Sequence, residues 1–138
     1  MSKEVPEWMY RQSAVIPYRF GAEGLEVLLI TSRKRKRWVL PKGVVEPGMI
    51  PADSAEKEAF EEAGIEGRVD DRPLGVYQYR KWGGVCTVEV FAMRVTGDSD
   101  DWPEADIRTR EWLPLSEAAG RVDEAQLKEL ITSLPERV

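Results

Sequence analysis

GVVEPGMIPADSAEKEAFEEAGI, residues 43–65, decides how the rest of this 138-residue chain is read. Pro51 suits the first position of a helix, where a missing N–H costs nothing, and Gly64 suits the position just past its end, where the backbone turns left-handed. At about 100° per residue, Ala52, Ala55, Ala59 and Ala63 fall on one narrow face that lets a helix approach a sheet closely. Glu58, Glu61 and Glu62 fall on the adjoining flank. Like charges at these spacings repel by about 0.3 kcal/mol per pair, so stability alone does not favour the grouping. Two readings follow: a solvated acidic flank, or a seat for a hard divalent cation. Oxygen ligands with no histidine anywhere in the chain suit Mg²⁺ or Mn²⁺ rather than zinc.

The spacing across the whole stretch resembles the Nudix box of the Nudix hydrolases, G-x5-E-x7-R-E-U-x-E-E-x-G-U with U aliphatic. Gly43 opens the box, Glu58 is the first helical glutamate, Ala59 takes the aliphatic place, Glu61 and Glu62 form the pair, and Gly64 and Ile65 close it. Met49 and Lys57 stand where the family has a glutamate and an arginine that pair with each other. With both changed, Lys57 is left to turn toward Glu61 or Asp53 as a point charge.

The resemblance implies an α/β/α sandwich around a mixed central sheet and hydrolysis of a phosphoanhydride bond by metal-activated water. It implies Mg²⁺ (or Mn²⁺) held by Glu58, Glu61, Glu62 and a backbone carbonyl near Gly43. Family members pass the proton to a box glutamate or to an acid in a later loop. Glu58, Glu61 and Asp106 are therefore the candidate catalytic carboxylates, Asp106 being equally readable as a surface residue. RKRKRWVLPKG before the box and DDWPEADIRTREWLPLSEA after it look most like the diphosphoinositol polyphosphate and diadenosine polyphosphate phosphohydrolase branch. A housecleaning nucleoside triphosphate pyrophosphohydrolase and a non-catalytic nucleotide-binding module stay open as alternatives, the latter because of Met49 and Lys57.

Composition narrows the rest. The length and a 42% hydrophobic content suit one domain over residues 1–138, with 1–12 expected to be loose or peripheral. A net charge of -5 argues against a nucleic-acid binder. The single cysteine, Cys86, with no apolar leader and no long apolar run, points to a reducing cytoplasm and no membrane partner. The absence of histidine removes histidine-based nucleophile activation and histidine general bases, leaving carboxylates, metal or lysine for any hydrolysis. The protein is expected to be a monomer or homodimer acting on a polyphosphorylated small molecule.

Along the chain, residues 13–20 and 25–31 read as paired strands, 68–79 as one long extended segment, 80–84 as a hairpin turn and 85–95 as its returning strand. Residues 97–110 read as a loop, 112–114 as a short strand, the region from Pro114 as a short helix, and 123–134 as a final helix with Leu127, Leu130, Ile131 and Leu134 on one stripe. The basic run at 32–37 is either a solvated turn or a phosphate grip. On the second reading Arg33, Lys34, Arg35, Arg37, Lys42, Arg80 and Lys81 bind the substrate's phosphates. Tyr79 and Trp82 could stack on a base or simply pack, and Glu89 could be a functional carboxylate or a solvent-facing one.

Overall fold

The computed structural model describes residues 4–138. Its sheet has eight strands: β1 (Arg11–Gly21), β2 (Gly24–Thr31), β3 (Trp38–Val39), β4 (Lys42–Val44), β5 (Ile65–Val69), β6 (Gly75–Lys81), β7 (Gly84–Asp98) and β8 (Arg110–Pro114). Three helices accompany it: α1 (Pro51–Ala63), α2 (Leu115–Arg121) and α3 (Ala125–Ser133). β1 is central. It runs parallel to β7 along one edge, while its other edge is shared between β4, opposite Gln12–Ala14, and β2, opposite Tyr18–Gly21.

Each face of the sheet is apolar and each is covered. α1 lays its four alanines on Val15, Leu28, Ile30, Phe91 and Met93; on the opposite face α2, α3 and the turn after α3 cover Ile16, Leu29, Val88 and Val90 with Ala118, Leu127, Ile131 and Leu134. This is the expected α/β/α sandwich with a mixed central sheet. Small side chains along α1 let its backbone sit close to the sheet, which places its glutamate flank beside β4 instead of out in solvent. Gly64 ends the helix with φ 67° and its N–H on the Phe60 carbonyl at 2.9 Å.

Several expectations are corrected. The extended segment at 68–79 is two strands, because Asp70–Leu74 interrupts it and Pro73 has no N–H for a ladder. Both strands pair with the one long β7, β5 along its Met93–Asp98 end and β6 along Gly84–Val90. The turn between β6 and β7 is only Trp82–Gly83, whose φ values of 56° and 73° give the left-handed pair of a tight hairpin.

Of the segment expected to be loose, residues 1–3 lie outside the described residues. Glu7–Tyr10 forms a short 3-10 turn that Tyr10 fastens to the hairpin, its hydroxyl donating to the Trp82 carbonyl at 2.8 Å. Arg11 and Gln12 already belong to β1, and Gln12 is buried. Glu89 faces α1's side of the sheet at half burial and pairs with Arg11 at 3.6 Å.

Candidate active site

β4 and α1 meet where the sheet narrows. Gly43 sits so close to α1 that a Cβ there would lie 2.3 Å from the Glu58 carboxyl carbon, so only glycine lets this carboxylate reach the strand. One turn further, Glu62 is 8% exposed and accepts the Lys42 backbone N–H at 3.2 Å. The strand-to-helix connection is braced by Ser54, whose hydroxyl donates to the Val44 carbonyl at 3.2 Å. Among the described residues Lys57 pairs only with Glu61 in its own helix, at 3.9 Å with both side chains exposed, so it does not replace the family's loop-to-helix brace. Ser54 does that work.

The carboxylates do not gather as a trio. Glu58 and Glu62 are neighbours one helical turn apart whose carboxyls perturb each other, whereas Glu61 pairs with Lys57 on the exposed side. Among the described residues no three acidic, histidine or cysteine side chains converge on a common point. Burial pushes the Glu62 carboxyl up to about 8; the Arg108 guanidinium opposes the shift and the neighbouring Glu58 adds to it. Burial raises Glu58 as well, with Glu61 and Glu104 contributing repulsion. The buried Glu62 and half-buried Glu58 carboxyls beside the β4 backbone form an oxygen donor set suited to a hard divalent cation. Glu58, Glu62 and the Gly43 backbone would hold it, with Glu61 on the same flank of the helix.

The loop from 99 to 109 and the Arg110 that follows it are tied to this helix by three side chains, besides the Glu104 N–H, which donates to the Glu61 carbonyl at 3.1 Å. Trp102 donates its indole N–H to the Glu62 carbonyl at 3.0 Å, and Arg110, stacked on the Trp102 ring, donates to the Ala63 carbonyl at 2.8 Å, answering the carbonyls left open at the end of α1. Arg108 is the third. Its buried guanidinium lies 3.7 Å from Glu62 and 2.9 Å from Glu104 and donates to the Thr31 carbonyl at 3.0 Å.

Glu104, not Asp106, is thus the loop acid brought to the glutamate pair. Asp106 is exposed, and its backbone carbonyl is taken by Arg35 at 2.9 Å. The sequence carried a signal for this in the E-x-x-x-R spacing of Glu104 and Arg108, which closes one helical turn.

The basic residues divide. Arg33, Arg37, Lys42 and Lys81 line a hollow of about 260 Å³ together with Glu62 and Arg108. Arg37, Lys42, Arg80 and Lys81 also line an adjoining cleft of about 450 Å³, with Tyr77, Tyr79 and Glu124. Lys42 joins the two: its backbone serves Glu62, while its ammonium donates to the Tyr79 hydroxyl at 2.9 Å. Burial, then the charge of Lys81, lowers its pKa. Arg35 is spent on the loop, and Lys34 is exposed and lines neither hollow. Trp82 packs edge-on against Tyr10, ring centroids 5.9 Å apart, leaving Tyr79 as the aromatic of that pair that faces the cleft.

A methyl group at Gly43 tests the cradle directly. Gly43→Ala is expected to displace Glu58 and weaken Mg²⁺ binding roughly 10- to 100-fold, read as a lost rise in Tm on titrating the metal, while the apo protein still unfolds cooperatively.

Comparison with known proteins places this geometry. The model of the NUDIX domain matches residues 9–133. Nudix hydrolase 12, mitochondrial, of Arabidopsis thaliana is 39% identical over 102 residues, covering 68% of this chain and 50% of that protein. The chain thus spans about half the length of that relative and of Nudix hydrolase 13 of the same plant. Mouse diphosphoinositol polyphosphate phosphohydrolase 3-alpha is 33% identical over 115 residues, covering 82% of this chain and 69% of that protein. A C. elegans Ap4A hydrolase, solved as a binary complex, shares the fold at TM-score 0.79 and 23% identity over 91% of this chain and 95% of that one. The chain belongs to the Nudix hydrolase family.

Proposed function

We propose that this protein hydrolyses a phosphoanhydride bond in a polyphosphorylated small molecule of the dinucleoside polyphosphate or diphosphoinositol polyphosphate type. The observation that carries the reading is the buried Glu62, with Glu58 beside it, facing a hollow walled by Arg33, Arg37, Lys42 and Lys81. Buried acids beside clustered cations fit a ligand that brings both a divalent ion and several phosphates. When bound, Mg²⁺ or Mn²⁺ would neutralise phosphate charge and acidify a water molecule.

The chain's own residues supply the rest. Arg33, Arg37, Lys42 and Lys81 orient the phosphate chain and offset charge building on the leaving group. Arg108 holds Glu62 and Glu104 in fixed positions, and Glu104 is the acid placed to take a proton from attacking water. Glu104→Gln is therefore expected to lower kcat roughly 10²-fold, with Asp106→Asn staying within about twofold of wild type. Steady-state kinetics on the two variants decides between the acids.

The reading is tested by incubating the purified protein with Mg²⁺ or Mn²⁺ and nucleoside triphosphates, dinucleoside polyphosphates, nucleotide sugars and inositol pyrophosphates. Turnover of a dinucleoside polyphosphate or inositol pyrophosphate is expected. Exclusive release of pyrophosphate from nucleoside triphosphates would replace this reading with a triphosphatase, and tight binding without turnover would replace it with a binding module.

A further inference from the structure

The larger cleft contains a residue that a purely phosphate-binding surface would exclude. Glu124, immediately before α3, lines it opposite Arg37, with the two charged groups 3.8 Å apart and both partly exposed. Its negative charge also reaches Tyr77 and Tyr79, since it helps raise both phenols, burial being the larger cause for each. The cleft is therefore graded. Arg37, Lys42 and Lys81, which also line the Glu62 hollow, join Arg80 in making one side positive, whereas Tyr77, Leu127 and Glu124 make a wall that is apolar with one carboxylate.

We infer that Glu124 makes this cleft selective for a substrate with a neutral, hydrogen-bond-donating end, a nucleoside polyphosphate, over one phosphorylated on every side. The inference rests on the polyphosphate reading above and narrows it. A fully phosphorylated inositol pyrophosphate presents anions in every direction and no neutral hydroxyl or amine, so whichever way it enters, one phosphate group faces Glu124. Like charges brought together in a partly desolvated cleft repel, and Glu124 also competes with that substrate for Arg37. A nucleoside polyphosphate lays its phosphates along the basic side and turns ribose hydroxyls or an exocyclic amine toward the carboxylate, which accepts from them. Specificity here comes from a repulsive element as much as an attractive one.

The test compares diadenosine tetraphosphate with a diphosphoinositol pentakisphosphate on the wild type, Glu124→Gln and Glu124→Lys. Each is followed by Mg²⁺-dependent kcat/KM and, independently of turnover, by calorimetric binding in Ca²⁺. The wild type is expected to prefer the dinucleotide. Glu124→Lys should shift the ratio of the two by roughly 100-fold toward the inositol compound, through about tenfold changes in opposite directions, with Glu124→Gln intermediate. A wild type that prefers the inositol pyrophosphate, or a ratio that moves less than about twofold in Glu124→Lys, overturns the inference. A binding ratio that shifts as expected without any turnover upholds it while refuting the hydrolytic reading.

Discussion

Glu62→Gln is expected to give a folded protein that turns over roughly 10³-fold more slowly than the wild type and, stripped of metal at about pH 9, melts at a higher temperature. Both halves come from one fact: the carboxyl is buried at a cost that Arg108 offsets only in part, leaving the rest for a bound cation. Its pKa is pushed up to about 8, first by burial. A raised carboxyl contributes stability that is complete below its unfolded value and is lost as pH rises through the folded one, so the metal-free wild type weakens between about pH 4.5 and about pH 8. Glutamine cannot ionise and still accepts the Lys42 N–H, so the variant lacks that decline.

Added Mg²⁺ should reverse the order. The ion displaces the proton from the wild-type site, and its apparent affinity climbs by up to about tenfold per pH unit below the raised pKa and levels off above it. The glutamine variant gains little. Thermal unfolding of both proteins from about pH 5.5 to about pH 9, with and without Mg²⁺, reads all of this at once. Equal metal-free pH profiles, or turnover of the variant within about tenfold of wild type, would remove Glu62 from the metal site.

Local signals carried the parts of this molecule that are set locally. Pro51, Gly64 and the alanine stripe mark where α1 starts, where it stops and which face it buries, because those effects act within a turn or two of the chain. The box spacing likewise puts Gly43 beside Glu58, a contact across fifteen positions that only a fixed pattern could foretell. What escaped was decided by partners distant in sequence. The division of 65–81 into β5 and β6 depends on how far β7 extends, and the break is marked locally only by Pro73 and by Asp70, whose carboxylate accepts the Arg72 N–H.

The loop acid that lies nearest the glutamate pair stands two positions before the one expected, for a similar reason. Asp106 and Glu104 are equivalent by composition, and the choice is made by Arg108, whose position is fixed in turn by the Thr31 carbonyl on β2. Arg35 was grouped with the phosphate-binding cations, yet it reaches the carbonyls of Asp106 and Ile107, a contact between segments more than seventy residues apart. The fate of Glu61 was also set by a neighbour, since Lys57 draws it away from the pair it was expected to join.

Arg108→Met should lower the melting temperature by about 10 °C, corresponding to about 3 kcal/mol. The guanidinium is almost fully buried, touches two carboxylates and satisfies the Thr31 carbonyl, so its removal leaves Glu62 enclosed without a counter-charge and unfastens the loop that carries Glu104. Because Arg108 is what opposes the rise in the Glu62 pKa, its loss lets that pKa climb further. A protonated carboxyl needs no partner, so the deficit should be smallest at about pH 5.5 and grow as the solution becomes alkaline.

The double variant isolates the interaction. If burial of an unpaired Glu62 charge is the main penalty, Arg108→Met should cost far less in a Glu62→Gln background, with a coupling of about 1–3 kcal/mol at about pH 9 that shrinks toward acid. Equal costs in both backgrounds at both pH values would mean that Arg108 acts through Glu104 and the Thr31 carbonyl alone. The loop would then be anchored independently of the carboxylate it overlies.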